Sequence, residues 1–170
     1  MKRSGFTMIE LIFVIVILGI LAAVALPKFI GVGNQAHDAK VVDFTSALNR
    51  SVMPQIWGQA MSDGFNGDIT KEVETKTDLE KYTQIPSELT DVNMSYAGSG
   101  KAVIWGEIPA GRTFKTDSGK ETPAVTYAVT CTKGSATSSP YCKAYITNLN
   151  PDQLKSYTLT NPNYVKTLTK

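Results

Sequence analysis

The chain is poor in histidine and cysteine, and neither charge is in clear excess. Its 170 residues include one histidine and two cysteines, and 17 basic residues nearly balance 15 acidic ones. The single histidine, His37, leaves no Ser-His-Asp set near the later part of the chain. The GxxxxGK[ST] phosphate loop and the HExxH zinc motif are also absent. These absences argue against an enzyme and a cofactor, and the lack of a basic stripe argues against nucleic acid as a partner.

A metal site is not expected either. Cys131 and Cys142 have no histidine near them, because His37 lies far upstream. The segment from Asp63 to Asp68 (DGFNGD) is rich in oxygen ligands, and Ca²⁺ bound there is one alternative. Its spacing differs from that of an EF-hand, and turn-forming Asp, Asn and Gly explain the segment without a metal.

One long apolar run lies near the N-terminus. No polar side chain occurs from Leu11 to Leu26, and Lys2 and Arg3 precede the run. A helix from Phe6 to Leu26 would be roughly 32 Å long at about 1.5 Å per residue, and the hydrocarbon core of a membrane is about 30 Å thick. The run is therefore predicted to span a membrane, with its basic end in the cytoplasm and the rest of the chain outside.

Glu10 stands within the first turns of this apolar run. A carboxylate costs about 2.5–3.5 kcal/mol at the centre of a bilayer, so it needs a partner. We expect none nearby within the same chain. A secretory signal cut among the small residues 21–25 is an alternative interpretation of the run, but it leaves Glu10 unexplained.

The N-terminus closely resembles that of type IV prepilins and type II secretion pseudopilins, the family with class III signals. Besides the apolar run, the residues that carry the resemblance are Gly5, Phe6, Thr7, Glu10, Gly19 and Pro27. The resemblance implies that prepilin peptidase, a membrane aspartyl peptidase, cuts between Gly5 and Phe6 and methylates the new amine of Phe6. The apolar helix would stay on the mature chain and form the core of a filament.

The resemblance also implies a location and partners. The mature subunit would wait in the bacterial inner membrane as a single-pass protein, then enter a periplasmic or extracellular filament. Its partners would be copies of itself, related minor pilins, an inner-membrane assembly platform and an ATPase. Removing residues 1–5 would leave 15 basic and 15 acidic side chains, and neutral subunits pack without strong mutual repulsion.

Glu10 has a predicted role in filament assembly. Its carboxylate could pair with the Phe6 amine of a neighbouring subunit, and only one axial stagger would satisfy that pair. In low dielectric the pair is favourable only if its geometry is good. The alternative is a pair with the Phe6 amine of the same chain, one helical turn away.

The predicted helix contains glycine and proline, the two residues least favourable in a helix interior. Gly19 and Pro27 are expected to weaken or kink it, because a glycine costs about 1 kcal/mol and a proline about 3 kcal/mol in a helix interior. Pro54 predicts that the helix ends or bends near Met53. Between the prolines, apolar residues recur at three- and four-residue spacing. They are Phe29, Val32, Ala36, Ala39, Val41, Phe44, Leu48, Val52 and Ile56.

The rest of the sequence predicts an α+β fold: a long N-terminal helix, half transmembrane and half amphipathic, packed on a C-terminal antiparallel sheet. Strands are predicted over 92–97, 102–108, 124–132 and 141–147, with a hairpin around Gly98-Ser99-Gly100. A short helix is predicted to begin at Asn150-Pro151. We divide the chain into a leader (1–5), a transmembrane helix (6–27), an amphipathic helix (28–61) and a globular domain (62–170).

Two cysteines outside the cytoplasm predict a disulfide between Cys131 and Cys142, which flank a short loop. The family resemblance supports it, because pilins commonly close a C-terminal loop in this way. Tyr127, Tyr141 and Tyr145 could form a binding surface, although buried strand aromatics are the favoured interpretation.

The predicted function is that of a structural subunit of a type IV pilus or pilus-like filament. The alternatives are a pseudopilin of a type II secretion system and a minor pilin with an adhesive or DNA-binding domain. A membrane-anchored binding protein or enzyme that never polymerises is a further possibility.

Overall fold

The computed structural model describes Gly5 and residues 7–169, apart from the side chains of Pro27 and Ile30. The chain forms two compact units, Met1–His37 and Asp38–Lys170. Helix α1 (Met8–Ala47) is followed by a π-helical turn (Leu48–Val52) and by helix α2 (Met53–Ser62).

In the first unit, α1 exposes its apolar side chains. Every large apolar residue from Met8 to Leu26 is exposed, and the least exposed, Ile17, shows 40% of its surface. By length and composition, the helical run Met8–Ser62 contains a stretch apolar enough to cross a membrane. The amphipathic stripe is exposed in this unit, where Phe29 and Val32 show 71% and 60% of their surfaces, and it becomes buried from Val41 onward.

The helix does not end near Met53, whereas the bend predicted there as the alternative stays a prediction. Pro54 lies in the first turn of α2, which continues directly from the π turn. The change falls just before it: the Met53 N–H donates to the Leu48 carbonyl, five residues back, as in a π-helix. The chain thus passes through a π turn and resumes as α-helix up to Ser62.

The second unit contains two antiparallel sheets. The larger sheet has the strand order β1-β2-β5-β6-β7, and the smaller one is the ribbon β3-β4. The strands are β1 (Asp91–Val92), β2 (Ile104–Glu107), β3 (Thr113–Lys115), β4 (Glu121–Pro123), β5 (Thr126–Cys131), β6 (Cys142–Thr147) and β7 (Val165–Leu168). Two short helices, α3 (Lys76–Glu80) and α4 (Pro151–Leu154), lie on the connections.

The larger sheet has apolar packing on both of its faces. One face packs on the helical stripe in a main cluster that includes Val41, Leu48, Ile56, Ile104 and Val129. The other face packs under α4 and the segment after it in a second cluster. That cluster consists of Ala102, Trp105, Ala128, Leu149, Leu154, Leu159 and Val165. The α+β prediction is therefore confirmed, with a long N-terminal apolar helix and a C-terminal antiparallel sheet.

Strands β2, β5 and β6 lie within the predicted runs, and α4 begins as predicted. Asn150 caps α4 through a side-chain bond to the Gln153 N–H, and Pro151 occupies the first turn. The predicted hairpin around Gly98 is only partly right. β1 does pair with β2, but a 3₁₀ turn (Met94–Tyr96) occupies most of the expected strand. Asn93 caps that turn through its side chain, and this capping draws the chain out of the extended conformation.

Candidate assembly site and the contacts of the second unit

The first described turn of α1 places Glu10 at the start of the exposed apolar surface. Thr7 precedes the helix, and its N–H and hydroxyl donate to Glu10 Oε2 over 2.8 and 2.7 Å. The Glu10 N–H donates back to the Thr7 hydroxyl oxygen over 3.3 Å. This reciprocal arrangement is a capping box, and it satisfies backbone donors that the helix leaves open.

The expectation that nothing nearby in the chain offers Glu10 a partner was therefore wrong. Thr7-Met8-Ile9-Glu10 matches the S/T-x-x-E pattern of a capping box, and that pattern could have been recognised in the sequence. The donors from Thr7 are neutral, so they orient the carboxylate but leave its negative charge in place. The positive end of the helix dipole favours an acid here by only about 0.3–1 kcal/mol at exposed sites.

The structure describes some of the other predicted residues of this segment but not all of them. Gly5 is described and exposed, whereas Phe6, the predicted site of cleavage and methylation, lies outside the described residues. A Cβ added at Gly19 would meet no atom within 4 Å, so packing within the chain does not require glycine there. The helical backbone of α1 runs through Pro27, and the predicted kink at Gly19 and Pro27 stays a prediction.

The second unit contains the predicted disulfide. Cys131 and Cys142 are bonded to each other, and they face each other in the β5-β6 register with their Cα atoms 4.0 Å apart. Both are buried, with 4% and 1% of their surfaces exposed. Asn49 of the π turn contacts the backbone of Cys142, and the sequence offered no local signal for this contact.

A network of polar side chains joins α1 to β5 inside the second unit. The Tyr127 hydroxyl donates to Asp38 over 2.8 Å, and the Arg112 guanidinium donates to Tyr127 over 2.6 Å and forms an ion pair with Asp38. Burial and the adjacent Asp38 carboxylate raise the pKa of Tyr127 well above its ordinary value. Burial opposes a rise in the pKa of Arg112, but its bond to Asp38 prevails and raises it. No spacing in the sequence could have predicted a network of residues so far apart.

The three tyrosines differ in exposure. Tyr127 is buried as expected and Tyr145 is partly buried, but Tyr141 shows 54% of its surface. The prediction of a buried strand aromatic was thus wrong for Tyr141. That residue lies one position before β6 begins, at the end of the disulfide loop, so the pleat of the strand does not turn it into the core.

The oxygen-rich segment uses its carboxylates within the chain. Gln59 donates to Asp63 over 2.7 Å, and the N–H and hydroxyl of Thr70 donate to Asp68 over 3.1 and 2.6 Å. Burial would raise the pKa of Asp68, but the bonds from Thr70 and the nearby Lys133 ammonium outweigh it and lower that pKa. Within the described part of the chain, no three His, Cys, Asp or Glu residues cluster so as to hold a metal ion.

Comparison with known proteins finds similarity to components of type IV pili. Residues 1–26 match the model of the prokaryotic N-terminal methylation motif. The type IV narrow pilus major component PilA5 of Thermus thermophilus is 53% identical over 51 residues, which are 30% of this chain and 43% of PilA5. The type IV major fimbrial protein FimA of Dichelobacter nodosus is 29% identical over 111 residues, 65% of this chain and 66% of FimA.

The matched segments thus cover less than two thirds of the length of either relative. No solved structure gives a significant match to the chain. The two relatives are named as structural pilus components, which is consistent with a protein that is not an enzyme. The resemblance seen at the N-terminus is confirmed: the chain carries the prokaryotic N-terminal methylation motif on a long apolar helix, and it is similar in sequence to type IV pilins.

Proposed function

We propose that the protein is a structural subunit of a type IV pilus or pilus-like filament that polymerises through its N-terminal helix. The observation that carries this proposal is the exposed apolar surface from Met8 to Leu26, with a single carboxylate, Glu10, near its beginning. In water that surface would be strongly unfavourable, at about 25 cal/mol for each Å² of exposed apolar area. A membrane before assembly, and the helices of other subunits afterwards, would both remove it from water.

The proposed mechanism begins with processing. Prepilin peptidase cuts between Gly5 and Phe6, and the new amine of Phe6 is methylated. The mature chain then consists of the apolar helix (6–27), the amphipathic helix (28–61) and the globular domain (62–170), and it waits in the inner membrane. An assembly platform and an ATPase move it into the filament, which is periplasmic or extracellular.

Glu10 sets the axial position of each subunit in this proposal. The capping box with Thr7 holds the carboxylate at the N-terminal end of α1, close in sequence to the predicted amine. Its charge would be neutralised by the Phe6 amine of an adjoining subunit, because a charge buried without a partner costs several kcal/mol. Gly19 and Pro27 would allow the helix to curve or extend inside the filament.

The test of this proposal is the intact mass of the subunit recovered from sheared filaments. The expected mass is that of a chain that begins at Phe6, keeps the Cys131–Cys142 disulfide and carries one additional methyl group. A Gly5→Leu variant serves as the control, and it is expected to accumulate uncut in the membrane fraction. A mature chain that begins after the apolar run, near residues 21–25, would contradict the proposal and indicate a secretory signal.

A further inference from the structure

Asn49 makes a pair of bonds that is unusual for a helical side chain. Its Nδ2 donates to the carbonyl oxygen of Cys142 over 2.9 Å, and its Oδ1 accepts from the N–H of Cys142 over 2.7 Å. The side-chain amide thus pairs with the Cys142 backbone as a neighbouring strand would. The two residues are 93 positions apart in the sequence.

The strand order explains why Cys142 is open to such a partner. The Thr132 N–H donates to the Tyr141 carbonyl, so Cys131 and Cys142 form a non-hydrogen-bonded pair of the antiparallel ladder. The N–H and C=O of Cys142 therefore point to the opposite edge of β6. On that edge, within the described residues, β7 pairs with β6 from Thr147 to Ala144, which faces Leu168. Asn49 bonds to both of these backbone groups of Cys142.

The π turn presents Asn49 to this edge. In the turn from Leu48 to Val52, the Met53 N–H bonds to Leu48 rather than to Asn49, which follows it. Leu48 and Val52 on either side of Asn49 are buried at 0% and 3% exposure, so the turn is held against the sheet by packing as well as by Asn49. Single π turns inside helices occur frequently at functional sites.

We propose that Asn49 protects this disulfide from reduction. Reducing thiols reach the bond only when the π turn moves away from strand β6. Reduction requires a thiolate to attack one sulfur, which forms a mixed disulfide and releases the other cysteine as a thiolate. Because Cys131 and Cys142 are almost fully buried, the attack requires a local opening of the fold. That opening breaks both Asn49 bonds and exposes Cys142 from the side of the helix.

The test follows reduction of the full-length chain in detergent micelles, under native conditions. Dithiothreitol is added in excess, samples are quenched with a maleimide that adds visible mass, and the reduced fraction is counted on a gel. In the reaction dithiothreitol attacks the disulfide and then closes its own ring, so it leaves as a cyclic disulfide and both cysteines become thiols. Asn49→Leu removes both bonds and should accelerate reduction roughly tenfold to a hundredfold.

Three further variants make the result decisive. Asn49→Asp keeps the size and one acceptor of the side chain but sets a carboxylate oxygen against the Cys142 carbonyl. It should therefore also accelerate reduction of the disulfide. This variant decides the test if Asn49→Leu fails to fold. Ser51→Ala lies in the same turn, where the hydroxyl donates to Ala47, and it should leave the rate unchanged. Leu154→Ala lowers global stability in the second cluster without touching the disulfide.

Two results would overturn the proposal. The first is an Asn49→Leu rate equal to that of the wild type and of Ser51→Ala. The second is a Leu154→Ala variant that accelerates reduction as much as Asn49→Leu at an equal loss of unfolding free energy, because reduction would then proceed through global unfolding. Faster disulfide reduction in the Asn49 variants alone supports the protective role of Asn49.

Discussion

The two units of this chain use the same apolar residue types in opposite ways. From Met8 to Leu26 leucine, isoleucine and valine side chains face outward, whereas from Val41 onward the helix buries them against the sheet. The second unit therefore gains stability from its own core. The first unit has no core of its own among its described residues and depends on its surroundings to cover it.

The largest effect that separates the two regions is expected from one substitution made in each. Leu48→Ala removes a side chain that is fully buried and should cost about 2–5 kcal/mol of unfolding free energy. Leu18→Ala changes a residue that is 58% exposed and should leave the stability of the second unit within about 0.5 kcal/mol of the wild type. Urea denaturation in detergent, followed by tryptophan fluorescence, measures both. Equal losses would contradict the division into a self-sufficient unit and a dependent helix.

A somewhat smaller loss is expected when the disulfide is removed. The bond closes a loop between residues 11 positions apart, and the double substitution Cys131→Ser, Cys142→Ser should cost about 3 kcal/mol. The same denaturation measurement applies, with Ser139→Ala in the loop as a control that leaves the cross-link intact. A loss no larger than that of the control would mean that β5 and β6 hold the loop without the bond.

The smallest effect concerns pH. The pKa of Tyr127 is raised above its ordinary value of 10.0 by burial and by the Asp38 carboxylate, so the folded chain holds this proton more tightly than the unfolded chain. Its contribution to stability is therefore complete below about pH 10 and is lost as the pH rises further. Tyr127→Phe should cost about 1 kcal/mol at neutral pH, because Asp38 and Arg112 keep their ion pair.

Denaturation at a series of alkaline pH values measures this effect. The wild type should lose free energy of unfolding above pH 10 more steeply than Tyr127→Phe. Parallel curves for the two chains would show that the Tyr127 hydroxyl is not protected by the network.

The elements that could be predicted from the sequence are those specified by neighbouring residues. The helical stripe, strands β5 and β6 and the cap of α4 follow from spacing, β-rich runs and the Asn150-Pro151 pair. The strands of the ribbon β3-β4 have three residues each, which is too short for a reliable pattern. Strand β7 was not predicted either, although it is as long as β2.

The polar contacts that join distant segments could not be predicted in the same way. Arg112 and Asp38 are 74 residues apart, and Asn49 and Cys142 are 93 residues apart, so only the packed fold brings these partners together. The capping box of Thr7 and Glu10 is different, because its S/T-x-x-E pattern is local and can be recognised in the sequence. The assembly role of Glu10 depends on other subunits, and it therefore remains a proposal.

The central claim is that filament growth needs the Glu10 charge. The most direct measurement compares the amount of sheared filament with the amount of membrane-bound subunit for the wild type, Glu10→Val and Thr7→Val. Thr7→Val removes the hydroxyl contact to Glu10 but keeps the charge, so it should still assemble. Glu10→Val should fold, form its disulfide and lose filament roughly a hundredfold or more, as expected when one partner of a buried ion pair is removed. Filaments of Glu10→Val in normal amounts would contradict the account.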